Sequence, residues 1–183
     1  MKQENKTKKV SKLRKIIRNL YPTYIYDKVE HIPYDLISEL NIKMLVLDMD
    51  NTLIDNKHTY SPELKEWASN MKKNGVKLYI LSNSPFGKVV QKIAKELGME
   101  YIYNANKPST KGFKKIGIKT KVKKENIMMI GDQLFTDVWG GNRYGVKTIL
   151  VKPIKTSETI ITRVKRPFEK IVLKHYLKKK GGI

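Results

Sequence analysis

A doubly wound α/β fold is predicted: a mainly parallel sheet of about five strands, with helices on both faces and no large inserted cap domain. Three observations predict it. From Lys43 onward, short β-rich runs alternate with segments of helical apolar spacing, which is how a parallel sheet with crossover helices reads. The helical segments carry start and stop signals at their ends. At 183 residues, the chain can bury one core and leaves little for a second domain.

Strands are expected at 43–47, 77–81, 101–103, 127–130 and 148–151. Between the first two, Ser61-Pro62-Glu63 supplies an N-cap, a proline at the first helical position and an early acid. Leu64, Trp67, Ala68 and Met71 then line one face before Gly75. The next interval repeats the logic, with Val89, Val90, Ile93, Ala94 and Leu97 on one side and Gly98 as the stop. Right-handed crossovers of this kind build a Rossmann-like sheet whose ligand crevice lies at the carboxyl ends of the strands. Functional residues are therefore sought just after each strand.

The α/β domain is expected to span 21–152, flanked by two basic segments. Residues 1–20 carry eight Lys or Arg against Glu4. Val10, Leu13, Ile17 and Leu20 fall on one helical face there, which makes an amphipathic arm. Residues 153–183 read as a basic helical tail, packed on the domain or extending from it. Pro167 predicts two short helices or a kink. Ile161, Val164, Phe168 and Ile171 are the tail positions expected to pack on the sheet.

Composition narrows the chemistry. The chain has no cysteine, which excludes a disulfide framework, a thiolate metal site and a cysteine nucleophile, and fits a reducing, cytoplasmic setting. No apolar run approaches the length of a membrane span, and no apolar signal core follows the basic amino terminus. Export is not expected. The formal net charge of +21 draws anionic partners.

Asp48-Met49-Asp50-Asn51-Thr52 follows the first expected strand. One carboxylate can attack phosphorus while the other protonates a leaving alcohol and later activates water. Alone, the pair reads equally well as an acidic turn. Recurrence favours chemistry, because each later strand ends in a group that phosphoryl transfer uses. The Ser82 hydroxyl and the backbone amide of Asn83 can bind phosphoryl oxygens. Lys107 can offset charge. Asp132 and Asp137, in Gly131-Asp132-Gln133-Leu134-Phe135-Thr136-Asp137, offer oxygens that suit magnesium.

These four segments, in this order, resemble the motifs of the haloacid dehalogenase superfamily. The resemblance implies Asp48 as nucleophile, Asp50 as acid and base, and Ser82 and Lys107 on the phosphoryl group. It also implies Mg2+ held by Asp48, the Asp50 carbonyl and Asp132, with Asp137 in support. The second aspartate is the mark of phosphatases and phosphomutases in that superfamily. Only 34 positions separate Asp48 from Ser82 and 25 separate Ser82 from Lys107, too few for a large cap.

From Leu20 to about Tyr176 the chain is similar to the YqeG-like branch, related to mitochondrial phosphatidylglycerophosphate phosphatase. The residues that carry this are Asp48 to Leu53, Gly131 to Leu134, Thr136-Asp137, Gly140-Gly141-Asn142-Arg143 and Thr162-Arg163. The implied reaction gives phosphatidylglycerol. Thr52, Asn83 and Arg143 are candidate substrate-binding residues, with Lys57 a further candidate for the headgroup. A phosphorylated lipid and an anionic membrane, bound peripherally at its inner face, are the expected partners. The alternative is a phosphatase on nucleic-acid ends or other phosphorylated macromolecules; nucleic acid is compatible with the charge but not favoured, because the ten tyrosines are scattered rather than gathered into a stacking motif. A non-catalytic RNA- or ribosome-binding role would sit oddly with four intact motifs.

Overall fold

The structure, a computed structural model, describes residues 17–154 and 160–179; within the last helix it describes the side chains of Pro167 and of 169–178. The strands are β1 (Tyr24–Tyr26), β2 (Met44–Leu47), β3 (Lys77–Leu81), β4 (Glu100–Ile102), β5 (Ile127–Gly131) and β6 (Lys147–Val151). The α-helices are α1 (Tyr34–Glu39), α2 (Pro62–Lys73), α3 (Gly87–Leu97), α4 (Lys111–Thr120), α5 (Trp139–Tyr144) and α6 (Ile160–Lys179). A π-helical turn, Leu134–Val138, precedes α5.

All strand pairs are parallel and run in the order β1-β6-β5-β2-β3-β4. The sheet thus has six strands rather than five. The additional one, β1, pairs Tyr24 with Ile149 and Tyr26 with Val151 at the sheet edge. Like β4 at the opposite edge it is three residues long with none fully buried, but it precedes Lys43, where the alternation of strand and helix signals begins.

Alternation along the strands divides the core into two layers. Leu45 and Leu47 of β2, with Leu78 and Ile80 of β3, meet Ile37 of α1, Leu64, Trp67 and Met71 of α2, and Val90 and Ile93 of α3. Met44 and Val46, with Tyr79 and Leu81, meet Phe113 and Ile116 of α4 and Tyr144 of α5. The Ser61 hydroxyl accepts from the Leu64 amide at 3.1 Å, and Gly98 stops α3 with φ of +63°. Both capping signals therefore act as the sequence implies.

The tail forms one helix through Pro167 rather than two short ones. Proline removes a hydrogen bond and crowds the preceding turn at a cost of about 3 kcal/mol in an unsupported helix. Here the C-terminal half is held by tertiary contacts. Val172 and Leu173 pack on Leu134, Val138 and Leu150, and Tyr176 is buried against Tyr21. Ile171, expected to pack inward, is 66% exposed, because Glu169, Val172, Leu173 and Tyr176 already define the inner face. Ile161, Val164 and Phe168 lie outside the described side chains. So do residues 1–16 of the arm, although Leu20 at its end is buried. Among the described residues, no helix is long and apolar enough to cross a membrane.

The Gly140-Gly141-Asn142 segment serves this assembly. A Cβ on Gly141 would lie 2.6 Å from Thr148 Cγ2, so only glycine lets α5 approach β6 so closely. Asn142 Nδ2 donates to the carbonyls of Asn19 and Tyr21 at 2.8 and 2.9 Å, fixing the entering chain.

Candidate active site

The order of the sheet places the site. From β2 the chain builds outward through β3 and β4, then returns to the other side of β2 with β5. This is a topological switch point. Leu47 pairs with Ile130, and the Asp48 amide donates to the Ile130 carbonyl at 2.9 Å, which sets Asp48 beside Asp132. Asn51 then turns with φ of +62° and its amide bonds the Ile54 carbonyl at 2.9 Å. Asparagine tolerates that conformation better than most residues. The turn brings Thr52 back over Asp48.

Asp48 is held from two sides. Its Oδ1 accepts from Lys107 Nζ at 2.5 Å and its Oδ2 from the Thr52 hydroxyl at 3.3 Å. The same hydroxyl lies 3.5 Å from Asp132 Oδ1. Lys107 Nζ also meets Asp137 Oδ1 at 2.7 Å, and Asp137 Oδ2 accepts from the Gln133 amide at 3.1 Å. Asp50 Oδ2 accepts from the Ser82 hydroxyl at 3.5 Å. The structure therefore brings together Asp48, Asp50, Thr52, Ser82, Lys107, Asp132 and Asp137.

The other candidates stand around this group. Asn83 brackets the backbone of Lys107: its Oδ1 accepts from the lysine amide at 2.6 Å and its Nδ2 donates to the lysine carbonyl at 3.0 Å. Its side chain thus aims the lysine. Arg143 donates to the Pro108 carbonyl at 3.2 Å and lies over the Trp139 ring, supporting the same loop from outside. Lys57 is in an exposed loop, its amide bonded to Asp55.

One contributor carried only a faint sequence signal. Glu169 is the single acid in the basic helix α6. It is 4% exposed, and its carboxylate accepts from the Leu134 amide at 2.9 Å, two residues beyond Asp132.

Charge is unevenly matched here. Burial, then the proximity of Asp48, raises the Asp50 carboxyl above the usual range, against opposing pulls from Lys107 and His58. Burial pushes Asp137 up to about 6 against the pull of Lys107, with Asp48 adding to the rise. Burial alone would favour a neutral Lys107, but Asp137 and Asp48 outweigh it and hold the ammonium charged. Three buried aspartates, Asp48, Asp132 and Asp137, bring oxygens within 4.8 Å of one another around that single lysine. An oxygen-only donor set short of positive charge fits a hard divalent cation such as magnesium.

Gly131 gives this loop no slack. A Cβ there would lie 2.4 Å from Asp137 Cγ. Gly131→Ala is expected to displace Asp137 from Lys107 and to destabilise the fold by about 1–3 kcal/mol, as overpacking does. A thermal melt and a turnover assay on the same preparation check this; wild-type values in both would show that the loop can yield.

A parallel sheet whose switch point gathers these carboxylates, a serine and a lysine defines a phosphatase of the haloacid dehalogenase superfamily. The family model described as "Mitochondrial PGP phosphatase" matches residues 4–155, and the chain belongs to that family. It is 40% identical over 163 residues to "Probable phosphatase YqeG" of Bacillus subtilis, covering 88% of this chain and 94% of that protein. It is 27% identical over 141 residues to "Phosphatidylglycerophosphate phosphatase 1, chloroplastic" of Chlamydomonas reinhardtii, covering 70% of this chain and 51% of the relative. Among solved structures, an uncharacterized Listeria monocytogenes protein shares the fold with a TM-score of 0.51 and 19% identity, over 73% of this chain and 99% of that one. A candidate 3-deoxy-D-manno-octulosonate 8-phosphate phosphatase of Vibrio cholerae matches with a TM-score of 0.51 and 15% identity, over 81% and 91% of the two chains.

Proposed function

We propose that this phosphatase hydrolyses phosphatidylglycerophosphate to phosphatidylglycerol, using magnesium and a phosphoryl-aspartate formed on Asp48. The observation that carries the mechanism is the Asp48 carboxylate fixed between Lys107 and Thr52, with the Asp50 carboxylate beside it against the Ser82 hydroxyl. Magnesium, held by Asp48, the Asp50 carbonyl and Asp132 with Asp137 in support, would offset charge on the phosphoryl group.

Asp48 attacks phosphorus as the bond to the glycerol oxygen breaks, and Asp50 gives its proton to the departing alkoxide. Asp50 then takes a proton from water, which attacks the phosphorus of the acyl phosphate. Phosphate leaves and the Asp48 carboxylate is restored. The Ser82 hydroxyl and the backbone amide of Asn83 bind phosphoryl oxygens, while Lys107 balances their charge. Removing divalent ions with excess chelator is expected to reduce phosphate release to the blank, and magnesium to restore it. Full rate in chelator would rule out the metal assignment.

The lipid substrate is supported by the family description, by the Chlamydomonas relative and by the short connections between the motif positions. Between Asp48 and Ser82 the only helix is α2, and between Ser82 and Lys107 the only helix is α3. A bulky phosphomonoester at a membrane surface suits such a site. On this reading the protein works on the cytoplasmic side, peripherally bound to the inner face of the membrane. Phosphate release from phosphatidylglycerophosphate, 5′-phosphorylated oligonucleotide and phosphopeptide in one buffer tests the choice. Preference for the oligonucleotide would select a nucleic-acid phosphatase instead, and no release from any would favour a binding role.

A further inference from the structure

The chain around Tyr21 and the C-terminal half of α6, separated by some 150 positions in sequence, meet on one flank of the described molecule. Asn142 holds the carbonyls of Asn19 and Tyr21. Tyr21 in turn meets α6, its hydroxyl 2.5 Å from His175 Nδ1 and its ring 5.3 Å from that of Tyr176. Arg18, three residues before Tyr21, is exposed.

That helix has two distinct faces. Glu169, Val172, Leu173 and Tyr176 point inward. Lys170, Ile171, Lys174, Leu177 and Lys178 are exposed, and at 100° per residue they fall within an arc of about 120°. Ile171 is 66% exposed and Leu177 is 47% exposed, large apolar side chains standing among three ammonium groups. The one acid of the helix is buried on the other side.

From this we infer that the outer face of α6 is a docking surface for an anionic lipid bilayer. Lysines at i, i+4 and i+8 can reach headgroup phosphates while Ile171 and Leu177 enter the acyl boundary. RNA is the less suitable anion for this face. It would favour rings free to stack on bases, whereas His175 and Tyr21 stack on each other. The inference rests on the lipid reading above for its purpose, but its measurement needs no phosphatidylglycerophosphate.

The full chain is sedimented with vesicles of phosphatidylcholine containing phosphatidylglycerol and with pure phosphatidylcholine vesicles, each across a salt series. Wild type is expected to bind the anionic vesicles, less so as salt rises. A Lys170→Glu, Lys174→Glu, Lys178→Glu variant should lose about tenfold or more in partitioning. An Ile171→Ser, Leu177→Ser variant should lose the part that salt does not screen. Both alter exposed positions, so turnover of a soluble aryl phosphate should stay at wild-type level. Undiminished binding of both variants to anionic vesicles would overturn the docking face. Loss of binding to a structured RNA while vesicle binding persists would assign the face to nucleic acid instead. Docking by wild type without hydrolysis of phosphatidylglycerophosphate would leave this surface standing and remove the substrate assignment.

Discussion

Asp48→Asn is expected to bring phosphate release down to the blank while leaving the fold intact. The amide keeps the shape but not the negative charge that attacks phosphorus. Two electrostatic changes oppose each other in the folded state. The contact of Oδ1 with Lys107 weakens, while repulsion with the buried Asp132 and Asp137 is relieved. The melting temperature should therefore move little. The wild-type enzyme, quenched during turnover, should carry a phosphoryl mass on the peptide containing Asp48, and the variant should not. Near wild-type turnover in the variant would sink the nucleophile assignment, and a phosphoryl group on another residue would relocate it.

Asp50→Asn should cost about 10²–10⁴-fold in turnover, the usual contribution of a positioned acid or base. Its two duties can be separated by the leaving group. An aryl phosphate with a good leaving group needs little help from an acid, so the first step should survive the substitution. Water activation has no such relief. The variant should release about one equivalent of phenol per enzyme and then stall, with the phosphoryl group on Asp48. An alkyl phosphate should show no burst. Equal slowing of both substrates without a burst would mean that Asp50 does not act on the second step.

What the sequence made legible follows from how locally each feature is encoded. The strands β2 to β6 and the helices α2 and α3 were readable because their apolar spacing and end signals lie within a dozen residues. β1 was not, since its three residues lie ahead of the alternating series and pair with β6, over 120 positions away, whereas the equally short β4 follows β3 and α3 in that series. Among the candidate site residues, Asp48, Asp50, Ser82, Lys107, Asp132 and Asp137 stood out by following strands in a fixed order. The part of Asn83 in clasping the Lys107 backbone depends on the approach of two loops, which no spacing rule encodes. Glu169 was masked by its own neighbourhood, a lone acid in a lysine-rich helix that reads as surface until its carboxylate is found inside. Ile171 erred in the opposite direction, because its apolar character suggested burial on a helix whose inner arc was already filled.

The short connections over the site also bear on how this protein could choose among substrates. With only α2 and α3 between the first three motif positions, no inserted lid is available to measure the size of a guest. Chemistry of this kind tests the phosphoryl group and little beyond it. Selection then becomes a matter of address. A catalyst confined to the surface that holds its substrate meets it at a high effective concentration, while soluble phosphomonoesters remain dilute in the surrounding volume. Moving such a protein from one surface to another would change what it consumes without altering a single residue around Asp48.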